Sequence, residues 1–228
     1  MDIVLRIIEI IGFISFAMSG ALVAIDKETD LFGVIFLSVT TCFGGGLIRD
    51  VVIDELPVMF TSLYIEVIIT VATAIIVFLI ARIFKRQYVK HEKTVIYFNN
   101  YPDALALGIF CVAGVQFCID KHFEEGMFLA VAMGMLTAVG GGMIRDLMLR
   151  EIPFVLCKRI YAVAAILGSV IYYVIVVFAM PNSEVGKLVG TIVCMIVVFA
   201  LRILATHFKL NMPKAIIFSQ MQNEENAD

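Results

Sequence analysis

TCFGGGLIRDVVIDELPVMF (Thr41 to Phe60) and TAVGGGMIRDLMLREIPFVL (Thr137 to Leu156) are one phrase written twice, 96 residues apart. The copies share Thr41/Thr137, the triplets Gly44-Gly45-Gly46 and Gly140-Gly141-Gly142, Ile48/Ile144, Arg49/Arg145, Asp50/Asp146, Glu55/Glu151 and Pro57/Pro153. Upstream the match continues at an offset of 94, with Gly20 against Gly114 and Ile25-Asp26-Lys27 against Ile119-Asp120-Lys121; the inserted His122-Phe123 reconciles the two offsets. The chain therefore reads as two related halves.

The surroundings of both copies are apolar enough for lipid. Of 228 residues, 61% are hydrophobic and 16% charged, with a mean hydropathy of +1.00. A soluble domain is about 45–50% apolar and about 25% charged. A chain of this length cannot bury the excess in one core. A spanning helix needs about 20 mostly apolar residues. Seven segments qualify, at about 3–25, 31–53, 61–83, 103–119, 126–148, 158–180 and 184–205. The start, MDIVLRIIEIIGFISF, lacks a basic leader and carries Glu9, so it reads as the first span rather than a removable signal.

Three spans per copy is an odd number, so the second copy must enter the membrane from the opposite side. This is the inverted-repeat plan of many transporters, whose sites lie near mid-membrane on interrupted helices. The expected organisation is an all-α membrane protein. Residues 1–90 form the first three-helix repeat, 91–102 a cytoplasmic linker and 103–180 the inverted second repeat. A seventh helix occupies 181–210, and 211–228 is a polar cytoplasmic tail. The seventh helix has no counterpart and reads as an added packing helix, with Gly186 and Gly190 spaced for close helix contact. Basic residues set the orientation. With the N-terminus outside, cytoplasmic positions hold Lys27, Arg82, Lys85, Arg86, Lys90, Lys93, Arg150, Lys158, Arg159, Arg202, Lys209 and Lys214, against only Arg6, Lys121 and Lys187 outside.

Each glycine costs about 1 kcal/mol relative to alanine inside a helix, so three in a row predict a break or kink in helices two and five. A packing surface is the other reading, since Ala130, Gly134, Ala138 and Gly142 form a small-residue ladder. Arg49-Asp50 and Arg145-Asp146 follow the triplets at depths where charge is costly and faces protein or a wet cavity. Glu9 aligns with Asp103, each early in the first helix of its half. Matching depths predict the cross-helix pairs Glu9–Arg49 and Asp103–Arg145. A broken helix would offer carbonyls to a cation and N–H groups to an anion. The motif alone does not decide which passes.

Other chemistries find no support. GGGLIRD is neither a P-loop nor a GxGxxG turn, and no nucleophile–base pair of known spacing is present, so an enzyme is not expected. His91, His122 and His207 share no ligand spacing, so no metal site and no cofactor is expected. The net charge of −3 and the lack of a basic stripe speak against nucleic acid. Cys42, Cys111, Cys118, Cys157 and Cys194 lie in or beside apolar runs and read as free thiols.

The doubled GGGxxRD phrase, each copy followed by an acid and a proline on a seven-span chain, resembles the bacterial branch of the trimeric intracellular cation channel (TRIC) family, also grouped under a name implying glycine transport. The resemblance implies a homotrimer in the inner (plasma) membrane, each subunit holding its own pore for monovalent cations, chiefly K⁺ with some Na⁺. It places Gly44, Gly45, Gly46, Arg49, Asp50, Gly140, Gly141, Gly142, Arg145 and Asp146 along that pore. The competing reading is a secondary transporter of a small zwitterion such as glycine, its carboxylate held by helix N-termini and arginine. A membrane protein with no transport role is a third.

Overall fold

The computed structural model describes residues 2–121, 126–157, 160–181 and 183–208; the side chains of Asp2, Val89, Glu92, Lys93, Ile96 and Cys157 are left aside. The expected tail over 211–228 and the His122-Phe123 insertion fall outside the described residues, as do Lys158 and Arg159.

Among the described residues, seven helices are long and apolar enough to cross a membrane. In chain order, α1 is Asp2–Asp26, α2 Leu31–Val52, the single turn α3 Val58–Thr61, and α4 Tyr64–Ile83. Two short helices, α5 (Lys85–Lys90) and α6 (Glu92–Phe98), lead into α7, Asn100–Asp120. There follow α8 (Met127–Met148), the turn α9 (Phe154–Cys157), α10 (Tyr161–Tyr173) and α11 (Glu184–His207). A π-helical stretch, Val174–Ala179, completes the sixth span. The predicted spans match these helices to within a few residues, and the segment between the halves is largely helical.

Local chemistry explains several of the ends. The Asp30 carboxylate accepts from the Gly33 N–H at 2.8 Å, and Ser183 Oγ accepts from the Gly186 N–H at 3.2 Å, so α2 and α11 begin with side-chain caps. At their far ends α2 and α8 stop in the same way. Asp54 and Arg150 both take a left-handed backbone at φ 58°. The N–H of Glu55 then returns to the Asp50 carbonyl, and that of Glu151 to the Asp146 carbonyl, each at 2.9 Å. This satisfies an orphan carbonyl at each helix end, and the prolines two residues later prevent resumption.

Burial sorts the spans into layers. In its most apolar stretch α7 is 61% buried and α4 only 17%, so α7 is central and α4 faces outward. α2 packs on α8, α1 on α2, and α7 on α8, with α11 against α7 and α10. Small residues allow the approach. A Cβ on Gly20 of α1 would lie 2.8 Å from the Ser38 Cα of α2, and one on Gly114 of α7 would lie 2.7 Å from the Gly134 Cα of α8. These are equivalent contacts at the 94 and 96 offsets. Cys42, Cys111, Cys118 and Cys194 are free and buried, as expected.

Of the expected break or kink at the glycine triplets, the break is not what the structure holds: α2 and α8 remain helical through both. Unsatisfied backbone groups inside a bilayer cost several kcal/mol each, more than the roughly 1 kcal/mol glycine penalty per residue. The glycines instead form the crossing of the two helices. A Cβ on Gly45 would run into the Thr137 carbonyl, its carbon 2.8 Å away, and one on Gly141 into that of Thr41, also 2.8 Å away. Gly44 and Gly140 face the opposite helix's Gly141 and Gly45 in turn. Residue 41 thus meets 141 and residue 45 meets 137, so the two helices cross antiparallel. The third glycine differs. At Gly46 and Gly142 a Cβ would meet only the following arginine's Nη2, at 3.8 and 3.7 Å.

Candidate functional site: two charged cavities across a glycine crossing

The arginines sit one turn beyond the crossing, on the last turn of each helix. Arg49 is buried and turns back on its neighbour, its Nε and Nη2 donating to Asp50 Oδ1 at 2.8 and 2.6 Å. Arg145 does the same to Asp146 Oδ1 at 2.9 and 2.8 Å. The second carboxylate oxygen is also used. Asp50 Oδ2 accepts from the Val58 N–H at 2.9 Å and Asp146 Oδ2 from the Phe154 N–H at 3.0 Å. Each aspartate therefore ties its arginine to the first turn after the proline. A buried carboxylate and guanidinium joined by two hydrogen bonds have much of their desolvation offset.

The predicted pairs Glu9–Arg49 and Asp103–Arg145 are not formed. Glu9 Oε2 accepts from Arg6 Nη1 at 2.8 Å, and Arg6 also pairs with Glu66 of α4, which is fully buried. Asp103 Oδ2 accepts from Arg202 Nη2 of α11 at 3.3 Å. Its Oδ1 accepts from Tyr161 at 3.3 Å and from Ser19 at 3.4 Å. The physical reason is proximity: an aspartate one residue away reaches each motif arginine, and other cations lie beside the two acids.

Two cavities lie on either side of the crossing. One, of about 430 Å³, is lined by Glu9, Gly46, Arg49, Asp50 and Phe117 among others. The second, of about 640 Å³, is lined by the charged residues Asp26, Lys27, Asp103, Asp146, Glu151 and Arg202, with Ser19 and Tyr161 among others. Along α1 the first cavity reaches Phe13 and the second begins at Ser19. An aromatic layer fills the interval. Phe16 stacks on Phe110 at 4.8 Å, and Phe13 meets Phe110 and Phe43 at 5.0 and 5.1 Å. Six of the twelve sequence-predicted residues thus line two separate charged chambers, Glu9, Gly46, Arg49 and Asp50 the first and Asp103 and Asp146 the second, whereas Gly142 and Arg145 line neither. Gly44, Gly45, Gly140 and Gly141 lie in the wall between them, and Gly46 opens to the first chamber.

Both ends of the crossing carry an ion pair between halves. Lys27 Nζ meets Glu151 at 2.7 Å and Lys121 Nζ meets Glu55 at 2.8 Å. The Glu151 carboxylate, hydrogen-bonded to it, holds the Lys27 ammonium above its ordinary pKa. Composition did not suggest these pairs, although identity of both partners in the repeat was a usable signal. Arg202, Arg6, Glu66 and the phenylalanine layer were likewise missed. Their only sequence trace is charge or ring size inside an apolar run. Among the described residues no group of His, Cys, Asp and Glu is arranged to hold a metal ion.

This chain is similar to known proteins in sequence and in fold. The family described as Glycine transporter matches residues 6–82 and again residues 100–177, one match per half. The inner membrane protein YadS of Escherichia coli (strain K12), of the UPF0126 group, is 34% identical over 90% of this chain and 93% of its own. The Bacillus subtilis (strain 168) membrane protein YvgT is 35% identical over 73% of this chain and 78% of its own. Among solved structures, a TRIC cation channel studied for its conductance has a TM-score of 0.76 at 32% identity, covering 93% of this chain and 97% of that one. A TRIC orthologue from Rhodobacter sphaeroides gives 0.75 at 30% identity, covering 91% and 99%. With a family match in each half and relatives alike over nearly the whole length, this chain belongs to the TRIC family, in the bacterial branch that carries the Glycine transporter domain.

Proposed function

We propose that the protein is a passive channel for monovalent cations, permeable to K⁺ and Na⁺, with a pathway through each subunit. The observation that carries this reading is the pair of charged cavities facing one another across the α2–α8 crossing. The relatives with solved structures are TRIC cation channels, and they support it. The pathway joins the two chambers when the aromatic layer and the crossing part. Because α2 and α8 stay helical, dehydration of the ion is offset by Asp50, Asp146 and retained water rather than by carbonyls freed at a break. Arg49 and Arg145, already neutralised by those aspartates, shape the narrow part and set its opening. The working form is a homotrimer in the inner membrane lipid, its N-terminus outside and C-terminus cytoplasmic, as the lysine and arginine bias indicates.

Single-channel recording of purified protein in a planar bilayer with asymmetric KCl tests the proposal. Discrete current steps reversing near the K⁺ equilibrium potential are expected, and Arg49→Gln or Arg145→Gln should change conductance or open probability. A silent bilayer from folded, inserted protein, together with saturable uptake of labelled glycine into liposomes, would replace the channel with a transporter.

A further inference from the structure

We propose that Arg202, on the helix that neither half repeats, is the built-in counter-ion of Asp103 and sets how strongly the second chamber attracts a permeant cation. This rests on the channel reading and names a residue beyond the twin motif.

Four acids border the second chamber, Asp26, Asp103, Asp146 and Glu151; Glu151 pairs with Lys27, and of the two buried ones Asp103 is the one that no motif arginine neutralises. The Asp146 carboxylate there already holds Arg145 and the Phe154 N–H. Asp103 has no such partner from its own half's motif. Its counterpart Glu9 is served by Arg6, on the same helix three residues away. In α7 the corresponding upstream position, at the 94 offset, is Asn100, which carries no charge. The missing cation arrives from α11. Arg202 is 5% exposed, and its guanidinium lies 4.2 Å above the ring centre of Tyr161 while reaching Asp103 at 3.3 Å. Tyr161 in turn donates to the same carboxylate. Asp103, Tyr161 and Arg202 all border the 640 Å³ chamber.

The position has a direct electrostatic consequence. A charge lining a low-dielectric cavity focuses its field and changes the local concentration of mobile ions. The intact Asp103–Arg202 pair contributes no net charge to the chamber. Removing Arg202 leaves −1 and should enrich cations; removing Asp103 leaves +1 and should repel them. A purely structural pair behaves otherwise, since either removal loosens α11 from α7 and both single variants lose function together.

The test is K⁺ conductance of single channels for the wild type, Arg202→Gln, Asp103→Asn, the double variant and Arg202→Lys, in 0.1 M and 1 M KCl. At low salt the expected order is Arg202→Gln above wild type, double variant and Arg202→Lys near wild type, and Asp103→Asn lowest. Each single step should be about two-fold or more at 0.1 M and should shrink at 1 M, where the screening length falls to about 3 Å. If Arg202→Gln alone does not fold, adding it to Asp103→Asn must still raise conductance above that of Asp103→Asn. A conducting wild type with Arg202→Gln equal to or below it, or a double variant no better than Asp103→Asn, overturns the proposal alone. A wild type with no discrete currents overturns the channel reading itself.

Discussion

The two halves share a backbone plan and differ in what surrounds their arginines. Arg49 lies with its guanidinium 3.9 Å from the ring centre of Phe117, contributed by the other half's α7. Position 23, the equivalent of 117 at the 94 offset, is a valine. Arg145 has only the more distant Phe154 ring at 5.9 Å, and its Nη1 is buried with no hydrogen-bond partner among the described residues. One arginine is thus sandwiched between carboxylate and a close ring, and the other between carboxylate and a ring 2 Å farther off. Where residues of the repeat match, the contacts match; where the first helices diverge, so do the environments.

The comparison can be broken at several strengths. Arg49→Gln and Arg145→Gln each leave a buried aspartate without its cation, a loss of about 3–5 kcal/mol in similar buried pairs. Arg49→Gln also loses a desolvated cation–π contact, on the order of 1–2 kcal/mol, so its melting temperature in detergent should fall further. Equal losses would mean that the Phe117 stack contributes nothing. Phe117→Leu should therefore destabilise the wild type but add little in the Arg49→Gln background.

At the crossing the halves should respond alike. Gly45→Ala and Gly141→Ala each press a methyl into an opposing carbonyl and should cost about 1–3 kcal/mol, seen as matched drops in thermal stability. Gly46→Ala has room and should be neutral or gain up to about 1 kcal/mol from helix propensity. A sensitive Gly46 alongside a tolerant Gly45 would reverse the assignment of the triplet.

At the helix ends Arg150→Gly should stabilise by about 1 kcal/mol, because arginine resists the left-handed backbone that glycine accepts freely. Asp54→Gly should gain less, as aspartate visits that region more readily. Urea or thermal unfolding of the two variants gives the difference. The smallest effects belong to the exposed pairs. Lys27→Ala and Lys121→Ala should each change stability by less than about 1 kcal/mol and equally. The Lys27 contribution is present below the ordinary lysine value of 10.5 and disappears as pH rises through its raised folded value. A plateau in the Lys27 effect to still higher pH would remove Glu151 as its cause.

The seven spans and the halves were legible because lipid imposes a length and an apolar composition on each crossing helix, and because GGGxxRD occurs twice in matching frames. The partners of the buried charges were not. Alignment gave Glu9 and Arg49 the same depth, but depth does not say which of several neighbouring charges is nearest. The adjacent Asp50 wins for Arg49, and Arg6 wins for Glu9. Glycine propensity predicted a break or kink, and the requirement that every peptide group be satisfied inside the bundle overrode the break. Arg202 reads in sequence as one more flanking cation at the end of an apolar run; only the placement of α11 against α7 turns it toward Asp103.

In the proposed channel, the antiparallel meeting of Thr41 with Gly141 and Gly45 with Thr137 would make the two mouths equivalent in their main chain. Such a passage has no preferred direction of its own. Any rectification in such a channel's current would then be written in side chains without a matched mate: Arg6, Glu66 and Phe117 toward one mouth, and Tyr161 with Arg202 of the unrepeated α11 toward the other.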